Sequence, residues 1–317
     1  MKRVTFQKAM SIVVAELRNN GRWGTAHIYQ ATANSFLAFV SSPDLLLGRI
    51  TPSLLKSYED HLRQEGKRWN TVSTYMRTLR ALYNRGVDRK WVPAVPRLFE
   101  HVYTGTRVEG KRAIPANDMG RLLKEAEAPG QQTALTRDLQ AACRIFSLMF
   151  LLRGIPFVDL IHLQKKDYTD GIITYRRKKT GRVISVAVSP DAKRLIDEFG
   201  EANPSSPYLL PVIQRTGGDE QSYREYQIAL RRLNGSLKQL AQMLGVTSAL
   251  SSYAARHTWA TMAYYCEIHP GIISEAMGHS SIAVTETYLK PFRDERIDAA
   301  NWQVISYVRR EGKHAHA

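Results

Sequence analysis

The sequence predicts a two-domain, mainly α-helical protein that carries one small antiparallel β-sheet. Apolar residues in the first hundred positions recur at helical spacing, whereas a stretch around residue 180 alternates apolar and polar. Between them, from Tyr103 to Pro115, a run of Gly, Thr and basic residues loses all periodicity. A chain of 317 residues suits two cores rather than one.

In the segment opening at Thr25, residues Tyr29, Ala33, Phe36 and Val40 repeat along one helical face. Thr51-Pro52 reads as an N-cap followed by proline at the first helical position; the helix carries Leu54, Leu55, Tyr58 and Leu62 and stops near Gly66. A third helix opens at Asn70, places Val72, Tyr75, Met76, Leu79, Leu82 and Tyr83 on one stripe, and ends near Gly86. Its other face carries Arg77, Arg80 and Arg85, which suit a solvated surface or a nucleic-acid-facing one. The boundaries that follow are a helical domain over residues 1–104, a linker over 105–115 and a second domain over 116–317. Helices resume near Asp118, and the apolar run from Arg144 to Leu163 reads as a buried helix broken around Gly154 to Pro156. In GIITYRRKKTGRVISVAVSP, residues Ile184, Val186 and Val188 alternate beyond Thr180-Gly181, which gives a β-hairpin with a basic tip. The remainder, to about Arg310, reads as helical.

Lys and Arg number 45 against 29 acids, a formal charge of +16. The excess is shared: 17 basic against 8 acidic residues precede Gly110, and 28 against 21 follow. Two basic domains suit a polyanion gripped from both sides, and double-stranded DNA or RNA is the commonest such partner. No apolar run reaches the roughly 20 residues of a spanning helix, so no membrane partner is expected, and the N-terminus does not read as a signal peptide. Two cysteines, Cys143 and Cys266, make no disulfide framework and fit a cytoplasmic location. There is no Gly-rich phosphate loop and no Gly-x-Ser-x-Gly elbow. The spacing of Cys266, His269 and His279 matches no usual metal-ligand set, so no metal or cofactor is expected.

Residues 251 to 292 carry the chemistry. Tyr253-x-x-Arg256-His257-Thr258 is followed by Met277-Gly278-His279-Ser280-Ser281 and then by Tyr288, nine residues after the histidine. This order resembles the signature of the tyrosine recombinases of the phage-integrase family: His-x-x-Arg-His-Thr, Leu-Gly-His-Ser-Ser, and a nucleophilic tyrosine. The resemblance extends over nearly the whole chain, since residues 1–104 look like the family's core-binding domain and Lys179-Thr180-Gly181 looks like its catalytic lysine hairpin. It implies a C-shaped two-domain clamp on duplex DNA and a site-specific recombinase that integrates, excises or inverts DNA. It also implies four protomers on two DNA sites, with an accessory DNA-bending protein as a further partner. The implied roles are Tyr288 as nucleophile, Arg256 and His279 on the phosphate, Lys179 as general acid and His257 as support, with Arg177 and Arg182 beside Lys179 on the DNA-facing hairpin.

These residue types suit the reaction. A phosphodiester attacked by a phenol gains charge at phosphorus, and fixed cations stabilise that state more than the ground state. Arginine stays charged and donates in a planar fork. Tyrosine's pKa near 10 is lowered by neighbouring guanidinium groups, and a lysine on a hairpin tip can protonate the leaving 5′-oxygen. The covalent 3′-phosphotyrosine conserves bond energy, so rejoining needs neither ATP nor metal.

The chain departs from the family pattern twice. Tyr253 stands where the family has histidine, and a phenol donates one hydrogen bond without a switchable charge near pH 7. The pattern Thr-Gly-Leu-Arg-x-Ser-Glu-Leu maps onto residues 153–160, which puts Pro156 where the first arginine belongs. Arg153 lies one turn earlier and is expected to reach the phosphate; Arg177 and Arg182 on the hairpin are the substitutes, and pairing of Arg153 with Asp159 is the alternative. Two other readings stay open: a DNA-binding regulator of the same fold, and a type IB topoisomerase-like relaxing enzyme. The early start of the helices favours a DNA invertase or small mobile-element integrase over members with an additional N-terminal domain. After Tyr288, the face carrying Ile297, Trp302, Ile305 and Val308 packs on a neighbouring protomer or within its own domain. If both domains contact DNA, neutralising roughly 6–10 phosphates, affinity for duplex should fall about 10³–10⁵-fold between 50 and 200 mM salt; a flat salt titration in a filter-binding or anisotropy assay contradicts this.

Overall fold

The computed structural model describes residues 4–107, 112–128, 135–215, 217–289, 291–292 and 294–314. The chain divides into two compact units, Met1–Glu109 with Gly217–Arg224, and Gly110–Thr216 with Glu225–Ala317.

The first unit is built on α1 (Phe6–Asn19), α2 (Trp23–Val40), α3 (Pro52–Gln64) and α4 (Trp69–Asp88). Thr5 and Thr51 cap α1 and α3 by accepting the backbone N–H groups of Lys8 and Leu54, each at 3.2 Å. The apolar stripes meet in one core. Phe36 of α2 sits edge-on to Phe6 and Tyr58 at ring separations of 4.9 and 5.0 Å, over Leu55, Leu62, Met76, Leu79 and Leu82. α4 ends at Asp88, near Gly86 as expected. Gly86 itself lies within the last turn, where a Cβ would come within 2.7 Å of the Leu47 side chain, so glycine also serves close packing there. Arg77 and Arg80 are exposed on the outer face of α4, while Arg85 is half-buried with its guanidinium 3.5 Å from Glu16.

Both ends of the expected linker are anchored. Tyr103 donates its N–H to the buried Glu59 carboxylate, and Arg107 and Asn70 exchange two hydrogen bonds at 2.9 and 2.8 Å. On the far side, Ala113 and Ile114 are buried, and Ile114 donates its N–H to the Thr258 hydroxyl at 3.0 Å. The intervening residues 108–111 lie outside the described ones.

The second unit follows the order α5 (Ala116–Glu127), α6 (Arg137–Leu151), α7 (Phe157–Leu160), β1 (Tyr168–Thr169), β2 (Ile172–Arg176), β3 (Val183–Ala187), α8 (Pro190–Phe199), α9 (Glu220–Met243), α10 (Ser252–Tyr265), α11 (Pro270–Met277), α12 (Ile282–Glu286) and α13 (Asp294–His314). The strands form one antiparallel sheet in sequence order, with Ile173 opposite Val186 and Tyr175 opposite Ile184. Period-two alternation turns these four side chains into the core, among Phe146 and Leu148 of α6, Leu195 of α8 and Leu237 of α9. The buried helix begins at Arg137 rather than Arg144, and its break follows Leu151. The described residues of 200–219 contain no helix, contrary to the helical reading; Pro204, Pro207, Pro211 and the Gly217-Gly218 pair interrupt any helical repeat. Ile297 and Trp302 of α13 are exposed, Ile305 is half-buried, and the Val308 side chain lies outside the described residues. Among the described residues no helix is long and apolar enough to cross a membrane.

Candidate active site

The site forms where α10 and the loop after α11 meet the hairpin of β2 and β3. Gly278 caps α11 with φ +63°, a conformation that L side chains rarely adopt, and a Cβ there would approach Ile184 Cδ1 to 2.6 Å and Arg177 Cδ to 2.9 Å. Glycine is therefore required both by backbone and by space, and it brings His279 against the hairpin. Gly154, also left-handed at φ +68°, plays the matching part on the other side. Its would-be Cβ lies 3.0 Å from Arg256 Cα, and its carbonyl accepts from Arg256 Nη1 at 2.7 Å.

Arg256 projects from α10 and is almost wholly buried. Its Nη2 donates to the Met277 carbonyl at 2.7 Å and to His279 Nε2 at 2.9 Å. Arg177 comes in from the end of β2 and donates to the carbonyls of Met277 at 3.0 Å and Gly278 at 2.8 Å, and Arg182 donates to the carbonyl of His279 at 2.9 Å. Three arginines thus converge on the turn 277–279. Burial and the field of Arg177 both lower the proton affinity of Arg256. The compensating carboxylate is Asp159, buried on α7: its Oδ1 accepts the Lys178 N–H at 2.9 Å and its Oδ2 lies 3.6 Å from Arg177 Nε. Burial pushes the Asp159 carboxyl up, against the pull of that N–H and of Arg177 and Arg256.

Tyr288 packs its ring 4.5 Å from His257, 4.9 Å from His279 and 5.9 Å from Tyr253, with the Arg256 guanidinium 5.8 Å from its centre. Its hydroxyl is hydrogen-bonded to that of Tyr253, which is 41% exposed. Burial, and then this bond, raise the Tyr253 phenol above its ordinary value. His279 is 5% exposed, and burial, followed by the fields of Arg256, Arg177 and Lys179, pushes its pKa down to about 3.

The structure therefore gathers Tyr288, Arg256, His279, His257 and Tyr253, and brings Lys179, exposed on the hairpin tip, close enough for its charge to act on His279. Lys178 instead lines a separate cavity of about 380 Å³ with His162 and Asp167. Arg177 is not the DNA-facing surface residue expected from the hairpin's basic tip: the alternation Ile173, Tyr175, Arg177 continues past the strand and turns it inward. Arg182 is exposed. Arg153 is half-buried at φ +58°, and its Nη1 lies 3.3 Å from the Ser185 carbonyl on β3. It does not take up the pairing with Asp159 considered above; Arg177 does. Pro156, at the position of the family's first arginine, is the N-cap residue of α7, and its carbonyl accepts the N–H groups of Asp159 and Leu160 at 2.9 Å. Asp159 and Thr285, whose hydroxyl lies 2.8 Å from His279 Nδ1, were not foreseen as site residues. Of the three residues tested as metal ligands in the sequence, His269 caps α11 by accepting the Gly271 N–H at 3.0 Å and His279 is held as above.

Because the His279 pKa is about 3 when folded and about 6.5 when free, the unfolded chain binds an additional proton between those values, and stability falls as pH drops through that window. Urea unfolding followed between pH 7 and 4 should show this acid-side loss, and it should be shallower in His279→Gln. Parallel curves for the two proteins would contradict the assignment.

The comparisons agree with this geometry. Residues 5–101 match the phage integrase SAM-like domain, and residues 112–295 match the phage integrase family. The tyrosine recombinase XerC of Thermodesulfovibrio yellowstonii is 22% identical over 272 residues, covering 83% of this chain and 85% of the relative. The Tn1549 transposon integrase in complex with transposon right end DNA superposes with a TM-score of 0.65 at 14% identity, covering 95% of this chain and all of that one. A lambda integrase tetramer bound to a Holliday junction gives 0.60 at 15% identity, covering 92% and 80%. The chain belongs to the phage integrase family and is a site-specific tyrosine recombinase.

Proposed function

We propose that Tyr288 attacks a DNA phosphodiester and carries the 3′-phosphate as a covalent intermediate, and that Arg256, Arg177 and His279 form the cradle for that phosphate. The observation that supports this reading most directly is the position of the Tyr288 ring, enclosed by His257, His279 and Arg256 with its hydroxyl bonded to Tyr253. As the phenol oxygen bonds to phosphorus, the P–O5′ bond breaks, and Lys179 on the hairpin tip protonates the leaving 5′-oxygen. In the DNA-free protein the N–H groups of Arg256 and Arg177 are given to backbone carbonyls. A phosphate bearing a full charge is the stronger acceptor and draws the same forks toward itself.

Arg177 supplies the charge of the missing first arginine. It is buried beside Arg256 and bonds to the same Met277 carbonyl, whereas Arg153 is engaged with Ser185. DNA binding draws on both units, with Arg77 and Arg80 exposed on the first. Assembly into a tetramer on two DNA sites is supported by the exposed Ile297, Trp302 and Val304 of α13 and by the tetrameric state of the lambda integrase.

Purified protein incubated with a library of randomised, nicked duplexes should yield covalent protein–DNA adducts under denaturing capture, and sequencing them gives the preferred site. Tyr288→Phe should bind the recovered duplex normally and form no adduct; adducts from that variant would move the nucleophile, with Tyr253 as the adjacent hydroxyl. On the same duplex, Arg177→Ala should slow adduct formation by roughly 10²–10³-fold, the cost of losing one donor to a developing oxyanion. Arg177→Lys should recover little of it, and Arg153→Ala should stay within a few-fold of wild type. A slow Arg153→Ala beside a normal Arg177→Ala would reverse the assignment.

A further inference from the structure

We infer that Thr285 is a positioning residue, which fixes the orientation of the His279 ring and ties it to the backbone of Tyr288. The inference rests on the reading of Tyr288 as the nucleophile and concerns a residue that touches neither phosphate nor attacking oxygen.

Arginine has donors and no acceptor, so the 2.9 Å contact between Arg256 Nη2 and His279 Nε2 requires a lone pair on Nε2. In a neutral imidazole the proton is then on Nδ1, and Nδ1 lies 2.8 Å from Thr285 Oγ1. The hydroxyl accepts that N–H. The opposite tautomer would set one N–H against another between His279 and Arg256, both buried, and would forfeit that hydrogen bond. The Thr285 hydroxyl, able to donate as well as accept, would stay bonded to Nδ1; Arg256 therefore selects the tautomer and Thr285 fixes the ring's orientation. Thr285 thus closes a chain from its own hydroxyl through the imidazole to the Arg256 guanidinium.

The same residue reaches Tyr288 through its main chain. The Thr285 carbonyl accepts the Tyr288 N–H at 2.9 Å, and the Tyr288 carbonyl accepts from the Thr261 hydroxyl of α10 at 3.2 Å. α12 is only five residues long, too short to be stable as an isolated helix. Its orientation therefore comes from contacts such as the one between Thr285 and His279. A threonine one turn before the nucleophile sets both the direction of the His279 lone pair and the place where the chain delivers Tyr288.

A crossed substitution separates this role from simple packing. Thr285→Val keeps the shape and loses the acceptor; Thr285→Ser keeps the acceptor and loses the methyl group. On the duplex recovered by adduct capture, Thr285→Val should form adduct roughly ten- to a hundredfold more slowly, the scale on which an outer partner of a ligating histidine matters at metal sites, with duplex affinity unchanged. Thr285→Ser should stay within about threefold of wild type. Nitrogen-15 NMR of the DNA-free protein should show His279 as an Nδ1–H tautomer in wild type and Thr285→Ser, with a shifted and broadened Nδ1 signal in Thr285→Val, where the ring loses its partner and its fixed orientation. A normal rate in Thr285→Val, or equal slowing in Val and Ser variants, overturns the inference, as does an Nε2–H tautomer in wild type. Should Thr285→Val fail to fold, the wild-type tautomer and the Ser rate still decide. Tyr288→Phe is the control for the underlying reading: adduct from it removes Tyr288, whereas its silence together with a normal Thr285→Val removes only the role of Thr285.

Discussion

Arg256 and Arg177 are both buried, and both place an N–H on the carbonyl of Met277. Two like charges held out of water so close together are strongly unfavourable unless the protein surrounds them with acceptors. Here the acceptors are the carbonyls at the C-terminal end of α11, the carbonyl of Gly154 and the lone pair of His279, and the Asp159 carboxylate, 3.6 Å from Arg177 Nε, adds a counter-charge. A helix C-terminus carries partial negative charge and unsatisfied carbonyls, so the geometry uses what the end of α11 already offers. Much of the local architecture follows. Gly278 and Gly154 let the backbone approach the guanidinium groups, and Pro156 starts the short helix that delivers Asp159. The hairpin alternation turns Arg177 inward. The resulting cluster is organised before any phosphate arrives, so little reorganisation remains to be done at the moment of reaction.

The sequence carried this site unevenly. Tyr288, Arg256 and His279 are legible because their order and spacing are distinctive, and the caps at Thr51 and the alternation in β3 reported their elements directly. Gly86 marks the end of α4 to within two residues, but its close packing against Leu47 is a contact that sequence proximity does not show. The inward turn of Arg177 was available in the alternation Ile173, Tyr175, Arg177, but four further basic residues on the same hairpin, Arg176, Lys178, Lys179 and Arg182, made it look like part of a solvated tip. Thr285 left no such trace. A threonine on a five-residue helix has no periodicity to obey, and its contact with His279 exists only once α11 and α12 are folded against each other. The stretch 200–219 reads as helical with the rest of its segment, although its three prolines and paired glycines, weighed against the apolar pattern, disfavour a helix there.

The replacement of histidine by Tyr253 has a consequence for the charge of the site. Burial and the bond to Tyr288 raise the Tyr253 phenol, so it remains protonated and able to donate across the neutral range. His279 is held neutral by burial and by the cations around it. On the proposed reading, the positive charge around the scissile phosphate comes from guanidinium and ammonium groups, with neither Tyr253 nor His279 adding to it near neutral pH. A histidine at position 253 would instead bring a group with an ordinary pKa near 6.5 into the field of two arginines.

On the proposed reading the two departures from the family pattern meet in that field. Arg177, taken as the replacement for the first arginine, comes from the hairpin rather than the segment after α6, and its guanidinium lies on the carbonyls of the 277–279 turn beside Arg256. An imidazole near this cluster gains a proton less readily, as the chain's own His279 does, pushed down to about 3 first by burial and then by the fields of Arg256, Arg177 and Lys179. A neutral imidazole would still offer one N–H and one lone pair, and a phenol offers a hydroxyl that can donate or accept beside the nucleophile; neither adds positive charge there. On the proposed reading the cation comes from the hairpin, and Asp159, which faces Arg177 from α7, supplies the counter-charge beside the buried guanidinium.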